Sequence, residues 1–272
     1  MKWFKMTLAF LLALATAQVT VQAAGTKLDI SAPAPEVLST YYAAKAQSAK
    51  SVASKLKANG FSILATTTPI KGSTVITITN KELKATNTWL ATLNVLVNEK
   101  EVRVQNPSYF GAAYLGDSFK YGQFAGTLKS LQKALGDLHT VEDEFKLAKL
   151  PKYQFMMGMA YVNDTINVGE GADLETKLKD NKYVAYSLKL PNGSTLVGHS
   201  LRSRTNKFLL KIDAGHNALI LPYRSIIKEG KAVMLDPKYY LAVSLPLLSM
   251  GEFMKIASAP GEIEKDIKRS YK

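Results

Sequence analysis

The sequence contains no cysteine, and only three histidines and two tryptophans among its 272 residues. The missing thiols exclude disulfides, thiolate metal sites, thiol nucleophiles, redox pairs and a lipid anchor on an acylated cysteine. His139, His199 and His216 do not fall at spacings such as His-x-x-x-His. A zinc or copper centre built from imidazoles wants three or four such ligands, so no metal and no cofactor is predicted. Acidic residues are also scarce: 22 Asp and Glu face 35 Lys and Arg, for a formal net charge of +13. The surplus persists when Lys2 and Lys5 are set aside. It favours anionic partners, and equally gives a solvated surface that keeps the chain soluble. Long apolar runs are missing too. Met6 to Ala17 falls short of the roughly 20 residues that a spanning helix needs, and Pro246 interrupts Leu241 to Met250. With 47% hydrophobic and 21% charged residues, a chain of this length can bury a core without covalent staples.

The first residues read as an address. Lys2 and Lys5 form a basic start, the apolar run follows, and Val21-Gln22-Ala23 supplies small residues where a signal peptidase reads them. This pattern predicts a signal peptide over 1–23, cleavage after Ala23, and a periplasmic or secreted mature protein. Export argues against nucleic acid as a partner. So does the lack of aromatic residues interleaved with basic ones for stacking.

Two stretches of the remaining chain echo each other. Lys55-Leu56-Lys57-Ala58-Asn59 recurs as Lys177-Leu178-Lys179-Asp180-Asn181, and Gly72-Ser73-Thr74 as Gly193-Ser194-Thr195. Further on, Asn106-Pro107-Ser108-Tyr109-Phe110 lines up with Asp236-Pro237-Lys238-Tyr239-Tyr240. The offset grows from 122 to 130, a net insertion of 8 residues between Val197 and Leu221. Two copies in one order point to a pseudo-symmetric pair rather than a solenoid. The division read from this is a first unit over 24–139, a linker over 140–151 and a second unit over 152–272.

Each unit reads as helix, two strands joined at the Gly-Ser-Thr turn, helix, two strands joined by a tight turn, and a closing helix. First helices are predicted from about Pro35 to Lys57 and from Ala172 to Lys179, middle helices over Lys81 to Ala91 and Ser203 to Ile212. The closing helices fall over Ala125 to Leu138 and Gly261 to Lys268. Candidate strands precede the units at Lys27 to Ser31 and Phe155 to Val162. The charged segment Thr140 to Pro151 suits a linker. Helices interleaved with hairpins give an α+β class with mostly antiparallel sheets.

With Gly60-Phe61 after the first helix and Leu221-Pro222 at the start of a strand, this ordering resembles a bacterial family known as domain of unknown function 302. The resemblance covers most of both units. It implies a β-α-β(4)-α unit, similar to the halves of TATA-binding protein, that pairs with a second copy. A chain carrying two units would supply both halves itself and act as a monomer. The cysteine that the family places after Leu-Pro is Tyr223 here, and Leu93 stands at the matching place in the first unit. Thiol chemistry is therefore absent, and the family has no established reaction to lend.

Candidate chemistry is sparse. Gly198-His199-Ser200-Leu201-Arg202 lacks the final glycine of a nucleophile elbow, and Gly169-Glu170-Gly171 lacks the Lys-Ser/Thr end of a phosphate loop. Asn106-Pro107 and Asp236-Pro237 read as turn starters. That would set the aromatics behind them at the ends of sheets, covering a rim or facing a shared cleft. The cleft reading makes Tyr109, Tyr239 and Tyr240, with Asp236 or His216 nearby, a small-ligand site. Arg204, Lys207 and Lys211 share a face of the predicted middle helix and could hold an anion. The expectation is a non-catalytic protein that binds a small ligand or serves as an accessory. The alternatives are an enzyme with a Tyr/His/Asp site between the units and a basic module that docks an acidic partner.

Overall fold

The computed structural model describes residues 25–272; the predicted signal peptide lies outside the described residues. The first half holds β1 (Val37–Ser39), β2 (Tyr41–Lys45), α1 (Ala49–Ala58), β3 (Ser62–Ile70), β4 (Ser73–Thr79), α2 (Lys81–Lys84), β5 (Leu93–Val97), β6 (Glu101–Gln105), α3 (Pro107–Leu115) and α4 (Ala125–Leu135). Then come β7 (His139–Thr140), β8 (Glu144–Lys146), β9 (Thr165–Glu170), α5 (Leu174–Lys177), β10 (Val184–Lys189), β11 (Thr195–His199), α6 (Ser203–Asn206), β12 (Tyr223–Lys228), β13 (Lys231–Leu235), α7 (Pro237–Ser244), α8 (Met250–Lys255) and α9 (Ala259–Lys268).

The class is α+β, with every strand pair antiparallel. A six-stranded sheet runs β3-β4-β5-β6-β2-β7 and a five-stranded sheet runs β10-β11-β12-β13-β9, while β1 pairs with β8. Apart from β7, the two large sheets place their strands in the same order. Helix α1 packs on α4 and β3, and α9 packs on α7 and β9. Edge strands β3 and β10 adjoin, and β4 and β5 meet the 3-10 turn Gly215–Ile220. The buried side chains of both halves, from Leu38 to Tyr271, form one continuous core.

Local chemistry explains the elements. Ser48 caps α1 by accepting from the Ser51 amide at 3.2 Å, and Gly60, at φ +89°, follows its end in the left-handed region. Gly72 and Gly193, at φ +80° and +84°, turn the hairpins β3–β4 and β10–β11.

Several expectations need correction. The helix expected from Pro35 begins only at Ala49; β1 and β2 precede it. Tyr41, Tyr42, Ala43 and Ala44 are all buried, because β2 sits between β6 and β7. The strand-forming Tyr41 and Tyr42 and the ladder to β6 and β7 override the helix preference of Ala43, Ala44 and Lys45. Lys27 to Ser31 makes one bridge, to His139, and then an Asp29–Ser31 side-chain turn. Phe155 to Val162 forms turns, and the strand starts at Thr165. The middle helices are shorter than expected: α2 and α6 have four residues each, followed by 3-10 turns at Trp89–Ala91 and Lys207–Ile212. Residues 140–151 include β8 and the buried Asp143 and Leu150.

Candidate functional site

The aromatic segments after the two Asx-Pro pairs are helices, not turns at a sheet rim. Asn106 accepts from the Ser108 amide at 2.9 Å and Asp236 from the Lys238 amide at 2.8 Å. Each is a helix N-cap, and each proline occupies the first turn, where its missing N–H costs no helical bond. Asx-Pro opens turns and helices alike; here the apolar residues that follow decide for helix by burial.

Helices α3 and α7 carry the tyrosines into the boundary between the halves. The Tyr109 hydroxyl donates to the Val243 carbonyl at 2.9 Å, and Tyr239 donates to Ala113 at 3.4 Å. Tyr240 donates to Ile220 at 2.5 Å. Tyr153 and Tyr41 donate to Ala242 at 2.9 Å and Ser244 at 2.5 Å. Three successive carbonyls at the buried C-terminal end of α7 are thus met by three phenols. The last carbonyls of a helix have no partner within it. Burial pushes the Tyr109, Tyr239 and Tyr240 phenols up, so all three stay protonated donors.

The structure therefore brings Tyr109, Tyr239 and Tyr240 together, but their hydroxyls face backbone carbonyls. Asp236 is half-buried and occupied as a cap. His216 is exposed on the 3-10 turn Gly215–Ile220; partial desolvation and the nearby Arg103 guanidinium hold its imidazole below the ordinary value. Other polar groups also link the halves. Asn94 donates to the Leu219 and Leu221 carbonyls at 2.8 and 3.1 Å, Arg224 to Gln105 Oε1 at 3.0 Å, and Arg103 to Asn217 Oδ1 at 2.7 Å. Buried hydrogen bonds of this kind fix the register of one half on the other.

His199 lies in a buried chain in the second half. Its Nε2 is 2.6 Å from Ser225 Oγ and its Nδ1 is 2.9 Å from Ser270 Oγ; Ser225 Oγ is 2.5 Å from the Tyr271 hydroxyl. Burial lowers the imidazole pKa to about 3. A base so weak and so enclosed does not activate a serine at neutral pH. The chain ties the C-terminal segment to the second sheet.

An open, charged site lies on the second half instead. A pocket of about 410 Å³ is lined by Arg202, Arg204, Glu262, Lys265, Lys268, Arg269 and Lys272. Asp266, whose side chain is 2% exposed, does not line the pocket but holds Arg202, which does. That carboxylate accepts from the Arg202 amide at 2.9 Å, from Thr205 Oγ1 at 2.7 Å and from Arg202 Nε. Arg269 donates to the Tyr183 hydroxyl at 2.8 Å and stacks 4.6 Å from its ring centre. Glu262 meets Arg202, Arg204 and Lys265 at 3.0, 3.5 and 3.2 Å. Lys265 first, then the two arginines, holds its carboxyl below the usual range. Glu262, Asp266 and Glu264 pair with some of the six lining cations, and the surplus leaves a positive field in a concave surface. The lining is made of one carboxylate and cationic side chains, donors suited to holding an anion.

Arg204 belongs to this pocket, whereas the exposed Lys207 and Lys211 do not line it. Arg204 lies in α6, which ends at Asn206, and Lys207 and Lys211 lie in the 3-10 turn that follows, so the three are not on one α-helix. Sequence reasoning missed Lys265, Lys268, Arg269 and Lys272, although their i, i+3, i+4, i+7 spacing was readable.

Among the described residues, no group of three or more His, Asp or Glu side chains is placed to hold a metal ion, and no helix is long and apolar enough to cross a membrane. Comparison with protein-family models, with curated proteins and with solved structures gave no match.

Proposed function

We propose that the chain is an exported, non-catalytic binding or accessory protein that holds a small anionic ligand, bearing carboxylate or phosphate groups, in the basic pocket between α6 and α9. The observation that carries this reading is the set of six cations around the pocket, with Arg202 oriented by the buried Asp266. Guanidinium groups held in place by a carboxylate lose less freedom on binding and present paired donors to an oxyanion. Export is supported by the basic, apolar and small-residue order of residues 1–23. The shared strand order of the two large sheets supports reading the halves as diverged copies that pair within one chain, as the resemblance to domain of unknown function 302 implies. The tyrosine interface then has the role that a dimer contact has in a single-unit protein.

Native mass spectrometry of the protein isolated from its own exported fraction tests the reading. A carried anion of small mass on the wild-type chain, absent from the Arg202→Ala/Lys265→Ala variant, supports it. A ligand that survives those substitutions, or its covalent conversion on incubation, counts against it.

A further inference from the structure

Eight methionines occur in the chain. Met1 and Met6 lie outside the described residues, and Met234 is buried. The other five sit in two short segments, Met156-Met157-Gly158-Met159 and Met250 to Met254. Four of the seven large hydrophobic residues exposed among the described residues are Met156, Met157, Met250 and Met254, at 48%, 97%, 44% and 63%. Leucine or isoleucine would serve a core equally well, but these side chains are not in the core. Scattered exposed hydrophobics need no explanation, yet one residue type gathered in one place does.

The segments adjoin through the phenylalanines beside them, Phe155 before the first and Phe253 within the second. The Met159 amide donates to the Met156 carbonyl at 3.0 Å, closing a tight turn with Gly158 at φ +85°. Gln154 Nε2 donates to the Met159 carbonyl and pins the turn from its other side. The turn gathers three thioethers within four residues. The Phe155 ring, immediately before it, lies 5.2 Å from the Phe253 ring on α8. That helix is held by a capping box between Ser249 and Glu252, and Met250 and Met254 stand one helical turn apart on it.

From these observations we propose that the turn is a soft-metal site, with Met156, Met157 and Met159 as thioether ligands for Cu(I), and with Met250 or Met254 of the adjoining helix able to complete the coordination. Thioether sulfur is a soft donor that selects Cu(I) over zinc and the hard cations. The absence of cysteine excludes thiolate centres and the three scattered histidines argue against an imidazole centre, but thioether chemistry stays open. Unlike a thiol, an imidazole or a carboxyl group, a thioether has no titratable proton. Binding through it therefore releases none and does not weaken as the medium becomes mildly acidic. The proposal does not depend on the basic pocket.

The test is an anaerobic titration of the whole mature chain with Cu(I), kept reduced by ascorbate, against a chromophoric Cu(I) chelator at pH 7 and pH 5. Ag(I) serves as a redox-inert stand-in, with stoichiometry read by native mass spectrometry. The expected result is one equivalent of Cu(I) or Ag(I), similar affinity at both pH values, and no competing uptake of Zn(II). Met156→Leu/Met157→Leu/Met159→Leu keeps the apolar volume and removes the sulfurs. It should weaken binding by at least about tenfold, since outer-shell changes alone cost that much in metal sites, while circular dichroism stays unchanged. Met234→Leu is the control and should bind as wild type. Three outcomes overturn the proposal: no metal held against the chelator, full retention by the triple variant, or affinity that falls from pH 7 to pH 5 as an imidazole site would. In each case the exposed methionines are an apolar surface and not a ligand set.

Discussion

Tyr109, near the start of α3, reaches across the molecule and donates to the carbonyl of Val243, near the end of α7, at 2.9 Å. Tyr239, near the start of α7, makes the reciprocal bond to Ala113, near the end of α3, at 3.4 Å. The two helices thus satisfy one another's last turns with phenols. Removing either hydroxyl leaves a buried carbonyl with a partner lost. Tyr109→Phe is expected to cost about 1–2 kcal/mol, and Tyr239→Phe less, because its bond is longer. Urea unfolding measures both. Anion binding at the basic pocket should not change, since neither residue lines it; a change there would place the tyrosines in the ligand site.

His199 makes stability depend on acid. Its folded-state pKa is depressed to about 3, so at mildly acid pH the unfolded chain takes up a proton that the folded chain refuses. The stabilisation is complete above the ordinary imidazole value near 6.5 and is lost as pH falls from there toward 3. The slope from this one group is up to about 1.4 kcal/mol per pH unit. Wild type and His199→Gln should differ in the slope of unfolding free energy between pH 6 and pH 4, with the variant flatter. Parallel slopes would mean that the imidazole titrates normally in the folded state.

Gly198 stands opposite Tyr186 in the β10–β11 ladder, and a Cβ at Gly198 would meet the Tyr186 ring at 2.1 Å. The ring has nowhere easy to go, because its hydroxyl lies 3.2 Å from Thr92 Oγ1 in the other half. Gly198→Ala should therefore destabilise by about 1–3 kcal/mol through overpacking and disturb the contact between the halves. A thermal melt gives the magnitude, and an unchanged midpoint would mean the ring moves freely.

Much of the frame was legible because it rests on local chemistry. The glycines at 72 and 193 sit in hairpins, and the closing helices start and stop within a few residues of their expected bounds. What escaped was set by partners distant in sequence. Tyr41 to Lys45 became a strand because β6 and β7 flank it; Tyr41 and Tyr42 favour strand locally, but Ala43-Ala44-Lys45 favours helix, and the sheet decides. The Asx-Pro segments read as turn starters, and burial of the aromatics behind them makes them helix N-termini instead. The basic stripe of the last helix could be read from its spacing, but its meeting with Arg202 and Arg204 required the fold.

Asp266 is the pocket's support. Asp266→Asn keeps the shape and removes the charge that orients Arg202. Hydrogen bonds to charged groups contribute about 1.5–3 kcal/mol, so the substitution should lower stability by an amount of that order and weaken anion binding together. Stability measured by urea unfolding and affinity measured on the same sample should fall in concert. Loss of stability with affinity intact would show that Arg202 needs no anchor to bind.

The most direct measurement is calorimetric titration of residues 24–272 with citrate and with inorganic phosphate, at low and at high salt. Wild type should bind one anion per chain, with affinity falling as salt rises. Arg202→Ala/Lys265→Ala should lose the heat of binding, while Lys207→Ala/Lys211→Ala, outside the pocket, should keep it. Equal binding by all three proteins, or none by wild type at low salt, would contradict an anion site between α6 and α9.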